Sequence, residues 1–108
     1  MPTENRWYEF TREKIIILQD NLSGIYYIAD KGKIPVYIGK SDTDIRGRLL
    51  VHLNNKCCKT QGKYFKVTLA KMFENPEDME AQAGIIHARK YKKPPICSDK
   101  RPLLYHYP

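Results

Sequence analysis

The spacing of hydrophobic and polar positions changes several times along the chain, and each change predicts an element. "FTREKIIILQD" holds a short apolar run, Ile15 to Leu18, which fits a strand or a short helix equally well at that length. "NLSG" is turn chemistry. "IYYIAD", "KGK" and "IPVYIG" read as two β-rich blocks joined by a turn, a hairpin. Pro35 has no N–H to donate and belongs at a strand start or on an edge. Ser41, Asp42 or Thr43 can cap a helix running from about Asp44 to Asn55. Gly47 inside it costs up to roughly 1 kcal/mol relative to alanine and so marks close packing or the approach of a ligand. "KYFKVTLAKMF" alternates, with Phe65, Val67 and Leu69 on one face and Tyr64, Lys66 and Thr68 on the other, as a half-buried strand does. Asn75-Pro76-Glu77-Asp78 combines a capping Asn, a Pro at the first helical position and acids in the first turn. It predicts a helix from about Pro76 to Tyr91, ended by "KKPP". The order is β-β-α-β-α behind an N-terminal element, an α+β arrangement of a small sheet with helices packed on it. Residues 1 to 8 read as a loose arm, and Leu103, Leu104 and Tyr105 are expected to dock on the core.

Composition narrows the picture. The chain has 108 residues, 42% hydrophobic and 29% charged, which suits one domain over 1–108 and excludes disorder throughout. Lys and Arg number 19 against 12 Asp and Glu, a net charge of +7 that fits a polyanionic partner or serves solubility alone. The three cysteines, adjacent Cys57 and Cys58 with a distant Cys97, predict neither a disulfide framework nor a zinc site, and Cys97 is expected as a small buried side chain. No apolar run reaches membrane-spanning length and "MPTENRWYEF" has no signal-peptide core, so a cytoplasmic, membrane-free protein is expected.

Candidate chemistry begins in the helix after the hairpin. Arg48 and His52 are four residues apart and share one helical face, while Ile45, Leu49 and Leu53 make a separate apolar stripe and Arg46 points elsewhere. Arg offers a planar, permanently charged fork to phosphate oxygens, and His donates or shuttles a proton near neutral pH. A solvated helix face explains the same spacing. Tyr26 and Tyr37 sit one on each hairpin strand. If both aim at the Arg48 and His52 face, two phenols, a guanidinium and an imidazole converge. A phenol acts as a base only where cations favour proton loss, and Arg48 and Lys40 are the nearby cations in sequence. Tyr27 alternates to the opposite face, where it packs. "GKS" at 39 to 41 lacks the upstream glycine spacing of a phosphate loop. His87 reads as a surface or core-edge residue, His106 as part of a packed terminus, and the lysines around the third strand and at the end of the last helix as solvated or backbone-tracking.

Gly24-Ile25-Tyr26, then Tyr37-Ile38-Gly39-Lys40, then Arg48 and His52, together resemble the GIY-YIG nuclease family over roughly residues 22 to 97, leaving 1 to 21 as an N-terminal element. The resemblance implies a three-stranded antiparallel sheet flanked by helices. It implies a DNA endonuclease that hydrolyses phosphodiester bonds with one divalent ion, Mg²⁺ or Mn²⁺, and no small-molecule cofactor. Double-stranded DNA is the implied partner, and a homodimer would bring two sites to two strands. Carried over by motif, Tyr26 contacts or deprotonates the attacking water and Tyr37 is its partner at the scissile phosphate. Arg48 offsets charge on that phosphate, His52 assists or relays a proton, and Lys40 lies near the nucleophile. Lys40, Arg46, Lys63 and Lys66 are the candidate DNA contacts.

The departure concerns the metal. The family ligand is a glutamate in the last helix, and "EDMEAQAGIIHARKYKKP", aligned on Ile85-Ile86, puts Gln82 there. A glutamine keeps the shape and loses the charge that holds a hard cation. An engineered substitution, a naturally inactive DNA-binding module, and a register error that makes Glu80 the ligand each account for it. The two positions are about 200° apart on a helix, so both cannot face the site. If Ile85 and Ile86 mark the buried side, Gln82 is the position at the site. An Asn common in the family past the helix-ending proline is replaced here by Cys97 and Ser98. The expected function is a DNA endonuclease, impaired if Gln82 is the ligand position. The alternatives are an inactive DNA-binding module of the same fold and, more weakly, an RNA-directed protein.

Overall fold

The structure is a computed structural model that describes residues 4–98, so Leu103, Leu104, Tyr105 and His106 lie outside the described residues. Its elements are β1 (Tyr8–Glu9), α1 (Arg12–Ile15), β2 (Gly24–Ala29), β3 (Pro35–Ser41), α2 (Ile45–His52), α3 (Lys56–Gln61), β4 (Tyr64–Leu69) and α4 (Pro76–Tyr91). The fold is α+β, with one antiparallel sheet ordered β1-β4-β2-β3.

The β2–β3 hairpin forms as its pattern predicts. Asp30 closes the turn by accepting from the N–H groups of Gly32 and Ile34 at 2.9 and 3.0 Å. Pro35 opens β3, on the sheet edge where its missing N–H leaves no gap in the ladder. The sheet has four strands rather than three. β1 is two residues long, too short to show a period, and exists because Tyr8 and Glu9 pair with Phe65 and Tyr64 of β4. Residues before it are also tied down: Asn5 N–H donates to the Val67 carbonyl at 2.8 Å, and the Glu4 carboxylate accepts from Leu69 N–H at 2.8 Å. The described part of the arm is therefore an extension of the sheet and not a loose end.

Local chemistry sets the helix ends. Asp44 caps α2 by accepting from Gly47 N–H at 3.0 Å. A Cβ on Gly47 would run into that Asp44 carboxylate, which explains the glycine without a ligand. α2 stops at His52, short of the expected Asn55, because Asn55 leaves the helix to cap a separate α3, accepting from Cys58 N–H at 3.0 Å. α4 has the predicted bounds, with Asn75 accepting from Asp78 N–H at 2.8 Å and Lys92 in the left-handed region (φ 62°) after its last turn. Between Phe10 and Leu18 only Arg12–Ile15 is helical, with Ile15 and Leu18 buried and Ile16 and Ile17 exposed.

The sheet divides two apolar clusters. One face carries Tyr26, Ile28, Val36, Phe65 and Val67 against Ile15, Leu18, Ile45, Leu49 and Cys58. The other carries Ile25, Ile38 and Tyr27 against Ala83 and Met79 of α4. Cys57 and Cys97 form a disulfide, contrary to the expectation for an odd cysteine count with an adjacent pair. The pairing requires α3 and the segment after α4 to meet beside β3, where Cys97 N–H donates to the Val36 carbonyl at 2.7 Å, and local sequence carries no trace of that meeting. Cys58 stays outside the disulfide as a buried thiol. No helix among the described residues is long and apolar enough to cross a membrane.

Candidate active site

Directly paired residues on neighbouring strands share a face. The register pairs Tyr26 with Gly39 and Ile28 with Tyr37, so both motif tyrosines point to the side that α2 covers, and Tyr27 points away. A Cβ at Gly39 would fall inside the Tyr26 ring. Glycine at that position therefore lets the Tyr26 side chain lie flat across the edge strand. Its hydroxyl then meets His52 of α2, with 2.9 Å between Tyr26 Oη and His52 Nε2. Tyr37 stacks on Tyr26 with centroids 6.1 Å apart and planes at 19°, and its ring centroid is 4.3 Å from that of His52. Cys58 Sγ lies 3.8 Å from His52 Nδ1. If Nδ1–H donates to the sulfur, Nε2 is the acceptor for the Tyr26 hydroxyl proton.

Tyr26 is 1% exposed. Burial pushes its phenol well above the ordinary value near 10, Tyr37 and Glu80 push the same way, and Arg48 opposes them. Tyr26 is thus a protonated phenol at neutral pH and no standing phenolate. The charges of Arg48 and Glu80 are thus near enough to act on its hydroxyl. Arg48 sits one turn before His52 on α2 with its side chain exposed. Glu80 comes from α4 and is 9% exposed.

The structure therefore groups Tyr26, Tyr37 and His52 by contact, with the charges of Arg48 and Glu80 felt at the Tyr26 hydroxyl, and Gln82 is not among them. Gln82 is exposed, in a surface hollow with Phe73, Asn75 and Met79. The premise that Ile85 and Ile86 mark the buried side does not hold, because Ile86 is 63% exposed. α4 instead buries Pro76, Glu80, Ala83, Gly84, His87 and Ala88, a stripe at helical spacing whose small residues let the helix sit close to the sheet. Glu80 is in register with that stripe, and the alternation of small residues was the sequence signal for it.

The other candidates scatter. Lys40 pairs with Ile25 and so belongs to the α4 face, not to that of Tyr26 and Tyr37. Arg46 is a structural residue: its guanidinium donates to the Leu18 carbonyl at 3.1 Å and lies 3.8 Å from the Asp20 carboxylate. Lys63 is exposed beside the β2–β4 end of the sheet, where its N–H donates to the Ala29 carbonyl at 2.7 Å. Lys66 is on the α4 face, with its ammonium 4.6 Å from the ring centroids of both Trp7 and Tyr27. Cys58 and Gly39 are the site residues that pattern reasoning passed over.

Among the described residues no group of three or more His, Cys, Asp or Glu side chains is placed to hold a metal ion. The arrangement offers a single buried carboxylate, an exposed guanidinium and a phenol–imidazole pair that can pass a proton. No protein-family model, curated protein or solved structure matches the chain.

Proposed function

We propose that this chain is a GIY-YIG-type nuclease that hydrolyses DNA phosphodiester bonds with one divalent ion, Mg²⁺ or Mn²⁺, and that Glu80 rather than Gln82 is the metal-binding position. The observation that carries the reading is the contact of Tyr26 with His52 of α2 and Tyr37 of β3, where the charges of Arg48 from α2 and Glu80 from α4 also act on the Tyr26 hydroxyl. Such a gathering of unlike groups on one phenol is what phosphoryl hydrolysis asks for and what a packing core does not.

A single carboxylate fits Mg²⁺, which keeps several waters and takes the rest of its oxygens from substrate phosphate. Bound there, the ion would supply positive charge to the phosphate oxygens and acidify a water. The chain's own groups do the remainder. Tyr26 is protonated, so it serves as a relay: its oxygen accepts a proton from the attacking water as its own hydroxyl proton passes to His52 Nε2. The water oxygen forms the new bond to phosphorus, the P–O bond breaks with its electron pair on the leaving oxygen, which takes a proton from solvent, and the transferred proton rests on the imidazole until solvent removes it. Arg48, exposed beside the pair, offsets the charge that grows on the phosphate. Tyr37 packs on both rings and fixes their orientation. The net charge of +7 suits a double-stranded DNA partner, and a homodimer would supply the second site for double-strand cleavage. The ground for an impaired enzyme or a purely DNA-binding module was Gln82, which lies away from this cluster.

The test is plasmid cleavage with Mg²⁺ and Mn²⁺, comparing the chain with its Glu80→Gln and Gln82→Ala variants. The chain should cut, Glu80→Gln should lose roughly 10²-fold or more, and Gln82→Ala should stay within about twofold. A fully active Glu80→Gln protein, or a chain that never cuts DNA with either ion, overturns the reading.

A further inference from the structure

On the other side of the sheet a second cleft lies between the sheet and the C-terminal half of α4. Its walls are Trp7 and Tyr27 on one side and His87 and Tyr91 of α4 on the other, with Lys33, Lys66 and Lys90 among its lining residues and a volume of about 360 Å³. Among the described residues no carboxylate lines it.

Three features together ask for a ligand. The first is the lysines. The Lys66 ammonium is held over Trp7 and Tyr27 at 4.6 Å from each centroid, and those of Lys33 and Lys90 stand 5.3 Å from the rings of Tyr64 and Tyr91. Ring faces position these cations but leave their hydrogen-bonding capacity for an anion. The second is His87. It is 5% exposed, it lines the cleft, and its Nδ1 is buried without a hydrogen-bond partner. Burial, then the charge of Lys93, hold the imidazole below its ordinary value near 6.5, so its ring joins the wall beside Tyr91, 4.6 Å away between centroids, without adding charge. The third is the aromatic wall, where Trp7 and Tyr27 meet edge to face at 69°, beside an exposed apolar residue, Ile86.

We infer that this cleft binds one unpaired nucleotide unit, with its phosphate among Lys33, Lys66 and Lys90 and its base against the aromatic side chains. A cationic groove interleaved with aromatic rings is the usual chemistry for single-stranded nucleic acid. An acidic peptide would satisfy the lysines but would leave the aromatic side chains without purpose. A duplex presents phosphates without a free base and cannot fill the cleft. The inference does not rest on the nuclease reading, because none of the cleft residues belongs to the Tyr26 cluster.

Trp7 is the one tryptophan of the chain, so its emission reports this cleft alone. The experiment is a fluorescence titration of the full chain in chelator, where no metal-dependent cleavage occurs. The probes are an oligothymidylate of about eight nucleotides, thymidine monophosphate, inorganic phosphate, and a duplex matched in length to the oligonucleotide. The oligonucleotide should change Trp7 emission saturably. Lys33→Glu combined with Lys90→Glu, both at exposed positions, should weaken it at least about tenfold, as should raised salt. His87→Ala should weaken it by a smaller factor. Equal response to thymidine monophosphate identifies a free nucleotide as a sufficient ligand and supports the site, while a strong preference for the oligonucleotide identifies a strand. No saturable change, an unaltered affinity in the folded charge-reversed protein, an equal response to phosphate alone, or tighter binding of the duplex overturns the inference. Glu80→Gln should leave the titration unchanged, so a chain that binds here but never cuts plasmid sinks the nuclease reading and spares this one.

Discussion

Tyr26 lies across Gly39, its directly paired residue on β3, so closely that no side chain fits between the ring and the strand. The two glycine-and-tyrosine motifs are thus one structural unit. One supplies a ring that reaches across the hairpin, and the other supplies the bare backbone that the ring covers. Gly39→Ala should therefore displace Tyr26 from His52. Thermal melts should record a loss of about 1–3 kcal/mol, as for other overpacked sites. Plasmid cleavage should fall by a larger factor than that loss of folded protein explains.

Tyr26→Phe removes the hydroxyl and keeps the ring. On the proposed reading, cleavage should drop roughly 10²-fold or more, with DNA affinity unchanged. Retained activity would show that the phenol is a packing residue only.

The same substitution bears on alkaline stability. The folded phenol of Tyr26 sits above its unfolded value near 10, so the folded state binds the extra proton once the unfolded chain begins to lose it. This contribution is fully present below about pH 10 and is lost as pH rises beyond it, by at most about 1.4 kcal/mol per pH unit. Tyr27 is raised in the same direction, while Lys66 is lowered and acts oppositely below its ordinary value near 10.5. Urea midpoints between about pH 9 and 11.5 should therefore fall less steeply in Tyr26→Phe than in the parent. Parallel curves would contradict the burial argument.

Reduction of Cys57–Cys97 opens a loop with a sequence separation of 40 residues. Chain-entropy arguments assign such a crosslink about 4 kcal/mol, the upper range of what is usually measured. Denaturation with and without reductant should show a loss of about 2–4 kcal/mol, and Cys97→Ser should reproduce it.

Arg46→Ala should cost about 1 kcal/mol of stability through the lost bond to the Leu18 carbonyl, with little change in DNA affinity. A large loss of binding with unchanged stability would restore Arg46 to the nucleic-acid contacts expected from charge alone.

Much of this architecture is legible in the sequence, because local patterns carry it. Asn75 and Pro76 fix the start of α4, the alternation of Phe65 and Val67 fixes the faces of β4, and the hairpin follows from its β-rich blocks. The parts that escaped depend on partners distant in the chain. β1 needs β4, the disulfide needs α3 beside the segment after α4, and Cys58 meets His52 only after the chain breaks at Asn55 to begin α3. The burial of Glu80 escaped for a different reason. A pair of isoleucines outweighs alanine and glycine in any hydrophobic pattern, yet the tight packing of α4 prefers the small residues and turns Ile86 outward.

The crosslink also governs what happens when the backbone is cut. Cys57 and Cys97 close a covalent ring that contains β4, α4 and Glu80, while Tyr26, Tyr37 and His52 lie outside it. A single protease nick in the exposed Met72–Phe73 turn would leave one molecule on a non-reducing gel and two fragments after reduction. Both halves of the candidate site would stay tethered, so a nicked chain could refold as a unimolecular species without a concentration-dependent search for its other half.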